Sequence, residues 1–400
     1  MLTSYGHLTY CSNIHPGVNW DDHFSELKSA IPQVRQSVAG TNPMAIGLRL
    51  AHEASIELEK PARLQELKSW LEANNLYVFC INGFPYGNFH QSVVKDYVHA
   101  PDWTTSDRLE YTKRLFRILV ELLPDNLTGA VSTPPLSYRH WWRSPEDLSY
   151  ARTKATTQIL DLVGFLIELE EKTGRTLHVD IEPEPDGILS NGKDFFAWYT
   201  QQLLPECIEY LKKVKGYSTD IAKSALFKHV RLCYDVCHFA VSFESPAWVQ
   251  DQLLKTGIQV GRLQLSSALK VDLTQDKKEK LALLARQFNE PVYLHQVVAR
   301  TEDGQFIHYP DLDDALADAD SPTIEWRVHF HVPLFMEHYG LLGSTQSQTQ
   351  QVLALQKQNP ITTYMEVETY TWSVLPESLQ RSIPDAISRE LNWVKQQLEI

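Results

Sequence analysis

Apolar residues recur along this chain at two spacings. Alternation at every second residue marks strands at about 7–13, 44–50, 76–82, 127–133, 176–182, 230–236, 259–265 and 362–369. Between these runs the spacing widens to three and four. Phe24, Leu27, Ile31, Val34 and Val38 share one face of a helix over 21–38, and Leu64, Leu67 and Leu71 do the same over 60–73. Similar stripes predict helices at about 106–123, 151–172, 194–214, 245–256, 345–358 and 384–399. Eight strands alternating with helices imply a parallel sheet, and eight is the number that closes a (β/α)8 TIM barrel. A doubly wound open sheet is the competing architecture. It requires a glycine-rich turn after the first strand, and Asn13-Ile14-His15-Pro16-Gly17 lacks that pattern.

The polar faces of the strands sharpen the choice. Leu177, Val179 and Ile181 alternate with His178, Asp180 and Glu182. An open parallel sheet covered by helices is apolar on both faces. A barrel strand can turn polar groups inward near its C-terminal end, where barrel active sites lie. The alternation recurs where Cys233 and Asp235 oppose Leu232 and Tyr234, where Arg262 and Gln264 oppose Leu263 and Leu265, and where Glu366 and Glu368 oppose Met365 and Val367. Asn13, Arg49 and Asn82 sit near the ends of the first three strands.

Two connections are long. Residues 83–105 are rich in aromatics, glycine and proline. Residues 266–331, after the seventh strand, contain a hairpin over 291–310 turning at Glu302-Asp303-Gly304, then a strand-like run at 325–331. Loops of this size usually serve function, so both are expected to cover the barrel mouth. With these insertions, a single barrel domain of ordinary length about 250 residues spans the 400 residues of the chain.

Composition adds a class and a partner. With 43 % hydrophobic and 22 % charged residues the balance is that of a globular protein. A formal net charge of −13 repels polyanions, which disfavours nucleic acid and anionic membrane surfaces. No apolar run approaches the roughly 20 residues that span a bilayer. The opening MLTSYGHLTYCSN lacks the basic and then apolar pattern of a secretory signal. Cys233 and Cys237 are four apart, outside the CxxC spacing, so the five cysteines read as reduced thiols of a cytoplasmic protein. Phosphate-loop, GxSxG, HExxH and dinucleotide-binding motifs are not found.

The candidate chemistry lies at strand ends. Glu182, Asp235, His238, Gln264, His331 and Glu368 are carboxylates, imidazoles and a carboxamide, donors suited to a divalent metal ion such as zinc, manganese, magnesium or iron. His15, Arg49, Asn82, His90, Lys95, His295 and His329 are candidate substrate contacts. Each has a plainer reading. A strand-end glutamate can pair with a cation, His238 can be a hydrogen-bonded core residue, and Gln264 can simply orient substrate. Glu184 replaces Glu182 if the register shifts, and Glu366 is placed one step beneath Glu368. Trp103, Trp141 and Trp142 can cover a substrate or merely pack.

The strand-end Glu182, the Asp235-Val236-Cys237-His238 step and the closing Glu368-Thr369 resemble the xylose-isomerase-like TIM-barrel superfamily, which includes sugar isomerases, epimerases and endonuclease IV-type nucleases. The resemblance implies that Glu182, Asp235, Gln264 and Glu368 hold the metal. Asp235 with His238, and His329 with His331, are similar to the additional zinc ligands of the nuclease branch. At whole-chain level, Tyr10-Cys11-Ser12-Asn13-Ile14-His15-Pro16-Gly17, Asn82-Gly83-Phe84-Pro85-Tyr86-Gly87, Tyr293-Leu294-His295-Gln296, the 327–334 segment and Glu366-Val367-Glu368-Thr369-Tyr370-Thr371-Trp372 resemble the metabolite traffic protein EboE family. That resemblance implies a role in bacterial operons that move a secondary-metabolite precursor, such as that of scytonemin, toward the cell envelope. A small-molecule metabolite and a prenyltransferase-like membrane protein are the partners it implies. It supplies no reaction.

Three functions are compatible with these residues. The first is a metal-dependent isomerase- or epimerase-like enzyme in which Glu182 and Glu368 donate and accept a proton across the site. The second is a metabolite carrier that binds without transforming, since the barrel hosts many functions. The third is an endonuclease IV-type zinc phosphodiesterase, which the step from Asp235 to His238 favours and the acidic charge opposes.

Overall fold

The computed structural model describes residues 1–89, 94–377 and 379–400. Its centre is the expected ring of eight strands: β1 Gly6–Tyr10, β2 Met44–Arg49, β3 Leu76–Asn82, β4 Gly129–Thr133, β5 Leu177–Ile181, β6 Val230–Asp235, β7 Val260–Leu265 and β8 Tyr364–Val367. They pair in parallel in the order β1-β8-β7-β6-β5-β4-β3-β2, and Leu2–Thr3 adds an antiparallel edge to β1. The seam between β1 and β2 carries one parallel bridge, Cys11 to Gly47. Side chains reinforce it: Thr9 Oγ1 donates to the Ala45 carbonyl at 2.7 Å, and Ser12 Oγ accepts the Arg49 amide at 2.8 Å. The chain is a TIM barrel.

The amphipathic helices pack outside the ring with their predicted stripes inward. Trp20–Val38 buries Phe24, Leu27, Ile31, Val34 and Val38, and Asn19 caps it by accepting the Asp22 amide. Pro145–Thr173 begins six residues earlier than its apolar stripe suggests, because Ser144 caps it and Pro145 fills its first turn. The single helix expected over 194–214 is interrupted. Gly192–Trp198 passes through a π turn at Tyr199–Leu203 into Leu204–Lys215. Pro205 has no amide hydrogen to give its own turn, and the wider turn absorbs that loss.

The barrel interior is polar in its lower layer. Arg262 on β7 pairs with Glu366 on β8 at 2.6 Å and lies 3.7 Å from Asp180 on β5. His178 Nδ1 meets Asp180 Oδ1 at 2.6 Å. Two glycines make room for these carboxylates. A Cβ at Gly47 would sit 1.7 Å from Glu366 Oε1, and one at Gly261 would sit 1.9 Å from Asp180 Oδ1.

The insertion after β7 is larger than its sequence suggested. The hairpin is present, with Val297–Thr301 paired to Phe306–Tyr309. It belongs to a six-stranded antiparallel sheet that continues past residue 331 to Leu342–Ser344. Its long strand, Thr323–His331, runs between Val297–Thr301 and Ala268–Asp272. At the end of that strand the register slips: Val328 faces Leu269, but the next partner, Ala268, faces His331. A bulge of this kind re-aims side chains, and it falls on His329-Phe330-His331.

Candidate metal centre at the barrel mouth

The barrel ladder itself positions two carboxylates. The Glu182 amide donates to the Thr133 carbonyl at 3.1 Å and the Glu368 amide to the Leu265 carbonyl at 3.0 Å, so each glutamate continues its strand by one residue. Asp235 ends β6 and caps the short helix Val236–Val241. Its Oδ1 accepts the His238 amide at 3.1 Å and the Ser266 hydroxyl at 2.7 Å. Oxygen atoms of Glu182, Asp235 and Glu368 converge within 4.8 Å of one another, all three residues buried. Among the described residues, no lysine or arginine forms an ion pair with any of them; the imidazole of His238 lies 3.8 Å from both Glu182 and Asp235.

Amide donors hold Glu368. Its Oε1 accepts Asn13 Nδ2 at 2.7 Å and Asn82 Nδ2 at 3.0 Å, and its Oε2 accepts Gln264 Nε2 at 2.6 Å. The Gln264 oxygen faces the Cys233 thiol at 2.5 Å. Gln264, a candidate ligand, is engaged at both ends of its amide. Its amide nitrogen orients Glu368, while its oxygen is turned to Cys233. Asn82, a candidate substrate contact, shares this orienting work and also lines the cavity.

Three imidazoles complete the site. His238 Nδ1 lies 3.0 Å from the Pro183 carbonyl and His331 Nδ1 2.8 Å from the Glu368 carbonyl. His329 Nδ1 lies 2.7 Å from Gln296 Oε1. A carbonyl oxygen can only accept, so each Nδ1 carries the proton and each Nε2 presents a lone pair. His238, His331 and Asp235 form a second convergent group within 4.8 Å. Asp235 Oδ2, His329 Nε2 and His331 Nε2 are buried without a hydrogen-bond partner among the described residues. Buried polar atoms are almost always paired, so these three fit a bound cation well. The oxygen-rich group suits a hard or borderline divalent ion.

The charges conflict when no ion is present. Burial, with the neighbouring Asp235 and Glu184, pushes the Glu182 carboxyl well above the usual range. Burial, with Glu182 and Asp235, does the same to Glu368. Burial also opposes ionisation of Asp235, but His238 and His331 outweigh it and hold that carboxyl low. Burial lowers both His329 and His331, which keeps them neutral and available as ligands.

Glu182, Glu368, His238, His329, His331, Asn82 and Lys95 line one cavity. Lys95 is committed to Asp311 at 2.5 Å. That contact ties the 83–105 connection to the insertion, as does the Val94 amide on the Val292 carbonyl at 2.8 Å. Above the ligands, the Phe89 ring lies 5.3 Å from Tyr293 and 5.0 Å from Tyr370, which roofs the cavity with aromatics. His15, Arg49 and His295 sit behind this wall. His15 Nε2 meets the Tyr10 hydroxyl at 2.9 Å. Arg49 donates to the carbonyls of Gly17 and Gly87, fastening two loops. His295 Nδ1 meets the His329 carbonyl at 3.0 Å and its Nε2 meets Glu290 at 2.7 Å, so it supports the strand that carries His329. His90 lies outside the described residues.

Sequence reasoning gave little weight to three residues at or beside the cavity. Glu184, named only as a substitute for Glu182, lines the cavity and pairs with the buried His99 at 3.4 Å. Its signal was the Pro183-Glu184-Pro185 context, a rigid turn directly after a strand-end glutamate. Tyr370 left no signal beyond its place two residues after Glu368. Cys237 belongs with His329 and His331 in a third convergent group.

Against known proteins, no family model matches this chain and no curated protein matches it. Solved structures of similar fold include IolI protein with a bound zinc atom, at 10 % identity over 98 % of this chain and 98 % of that one, TM-score 0.46. A D-tagatose 3-epimerase-like protein is similar at 9 % identity over 98 % of this chain and 97 % of that one, TM-score 0.48. A xylose isomerase domain protein from Planctomyces limnophilus is similar at 11 % identity over 98 % of this chain and 94 % of that one, TM-score 0.43. The barrel assignment itself stands on the strand order described above.

Proposed function

We propose that this protein is a metal-dependent, isomerase- or epimerase-like enzyme acting on a small oxygenated metabolite. One observation carries the reading: Glu182, Asp235 and Glu368 converge within 4.8 Å in a buried site where no lysine or arginine of the described residues pairs with them. Three such carboxylates repel one another unless a cation joins them. A divalent ion bound there supplies Lewis-acid polarisation of a substrate carbonyl or hydroxyl. The chain's own residues do the rest. Glu182 and Glu368 enter from separate strands and exchange a proton with the substrate carbon between them. Asn13, Asn82 and Gln264 keep Glu368 in one orientation. Phe89, Tyr293 and Tyr370 exclude water from the reacting centre.

The cellular setting we propose is the one the sequence resemblance implies. It is a cytoplasmic, EboE-like protein of secondary-metabolite traffic, handling a precursor such as that of scytonemin and working beside a prenyltransferase-like membrane protein. It rests on the quoted sequence segments.

The deciding experiment is solvent exchange. Metal-loaded protein is incubated in deuterated water with a panel of ketoses, hydroxyketones and the pathway precursor, and deuterium at carbon is read by mass spectrometry and NMR. Incorporation that Glu182→Gln and Glu368→Gln both abolish supports the enzyme. Tight binding of a compound with no change in mass or configuration over many equivalents supports the carrier instead.

A further inference from the structure

We propose that the mouth holds a second metal site, built from Cys237 Sγ, His329 Nε2 and His331 Nε2, that takes a zinc-like, thiolate-seeking ion separate from the carboxylate-bound one. A thiolate ligand is absent from every expectation raised by the sequence.

His329 is held in one tautomer. Gln296 Nε2 donates to the Pro185 carbonyl at 2.9 Å, which fixes the amide and turns Gln296 Oε1 toward His329. That oxygen lies 2.7 Å from His329 Nδ1 and can only accept. The proton is therefore on Nδ1, and His329 Nε2 is a bare lone pair. It is buried and has no hydrogen-bond partner among the described residues, in a side chain 5 % exposed. His331, 1 % exposed, repeats the arrangement, with Nδ1 bound to the Glu368 carbonyl and Nε2 unpaired. Two unpaired imidazole lone pairs in a dry site are costly unless something accepts them.

The donor that joins both is a thiol. Cys237, His329 and His331 each offer a ligand atom, and these atoms lie within 4.8 Å of one another. Cys237 is fully buried and is held by its amide on Ser266 Oγ at 2.9 Å. One wall around it is apolar, formed by Val241, Ala268 and Val298. One sulfur and two imidazole nitrogens make three ligands of a tetrahedral site, with the fourth position open. Such a set prefers zinc over magnesium or manganese, which favour the oxygen donors of Glu182, Asp235 and Glu368. His331 also converges with Asp235 and His238. His329, although its ring lies 4.6 Å from that of His238, converges with His331 in a three-donor group only through the thiol, which sets that site apart. On binding, the Cys237 proton passes to bulk water and the thiolate bonds the ion.

The test reads metal rather than turnover, so it is independent of the proposed reaction. Full-length protein is stripped with a chelator and reloaded with zinc or cobalt(II), and bound metal is counted by elemental analysis. Two equivalents are expected, and the cobalt form should show a near-ultraviolet thiolate-to-metal band. Cys237→Ser should lose the band and one equivalent while keeping the other. His329→Gln, whose donor lies on a different element, should lose the same equivalent, which guards against a folding defect in one variant. Glu368→Gln should lose the other equivalent and keep the band. A single equivalent lost alike in Cys237→Ser and Glu368→Gln overturns the second site but leaves the carboxylate centre standing. Two equivalents without a band, both retained in Cys237→Ser, also overturn it. No bound metal overturns both readings.

Discussion

Asn13 and Glu368 lie 355 positions apart in the chain, yet Asn13 Nδ2 donates to Glu368 Oε1 at 2.7 Å. The bond crosses the ladder in which the first and last strands of the barrel pair, so that pairing assembles the ligand. Hydrogen bonds to a charged acceptor contribute about 1.5–3 kcal/mol, and loss of a residue that orients a metal ligand costs about 10–100-fold in affinity. Asn13→Ala should weaken metal binding within that range. Competition against a chromophoric chelator measures it, and unchanged affinity would show that the other amides suffice to hold Glu368.

Metal should stabilise the fold. Glu182, Asp235 and Glu368 are buried together, and each repels the others when ionised. Without the ion that repulsion is relieved only by proton uptake, which the raised carboxyls of Glu182 and Glu368 reflect. At 100 times the dissociation constant, bound metal adds about 2.7 kcal/mol by mass action. Calorimetry should show a lower Tm after chelation and recovery on adding zinc or manganese. Glu182→Gln should reduce the gap between the two forms.

Arg262 should be far less tolerant than a surface arginine. It is fully buried and bridges Glu366 and Asp180 in the layer beneath the mouth. Breaking a buried ion pair on one side costs about 3–5 kcal/mol, because the partner charge is stranded. Arg262→Met should lower stability by that order in urea unfolding. The double variant Arg262→Met with Glu366→Gln should recover part of it.

Stability should also fall as pH rises from about 4.5 to about 7, through Glu390. This residue is 1 % exposed, accepts the Leu334 amide at 3.1 Å and the Thr369 hydroxyl at 2.7 Å, and has its carboxyl pushed up by burial to about 7. Below the ordinary carboxylate value of 4.5 it is protonated in both folded and unfolded chains. Between that value and about 7 only the unfolded chain ionises, so folding loses stability, by about 3 kcal/mol in full. Glu390→Gln should remove this slope. Its stability relative to the natural chain should be greater at pH 8 than at pH 5, as read from denaturant midpoints.

The barrel was legible in the sequence because its later strands, β5 to β8, alternate apolar and polar residues. His178 and Asp180 against Leu177 and Val179 can be read without any partner. The carboxylates were legible for the same reason, since a polar residue at a strand end has few places to point in a closed ring. The far half of the insertion was not. His338–Tyr339 and Leu342–Ser344 are too short to show a period, and they are strands only because Ala268–Asp272 is there to pair with them. Gln264 illustrates a different limit. Its place on the inward face of β7 could be read, but whether its oxygen or its nitrogen meets the site depends on Cys233 and Glu368, and no local pattern encodes that. Cys237 was hidden because spacing rules look for nearby donors, while its companions arrive on a strand of another sheet.

That division of labour between two sheets matters for anyone wishing to alter the protein. The carboxylates belong to the ring, whereas His329 and His331 ride on Thr323–His331, whose register is pinned on one side by Val297–Thr301 and on the other by Ala268–Asp272. The insertion therefore behaves as a cassette with its own scaffold. Exchanging residues 266–345 as one block would change His329, His331 and the Tyr293 part of the cavity roof while sparing the Cys11–Gly47 closure of the ring. Editing the two histidines one at a time would change single donors and leave the backbone register that aims them in place.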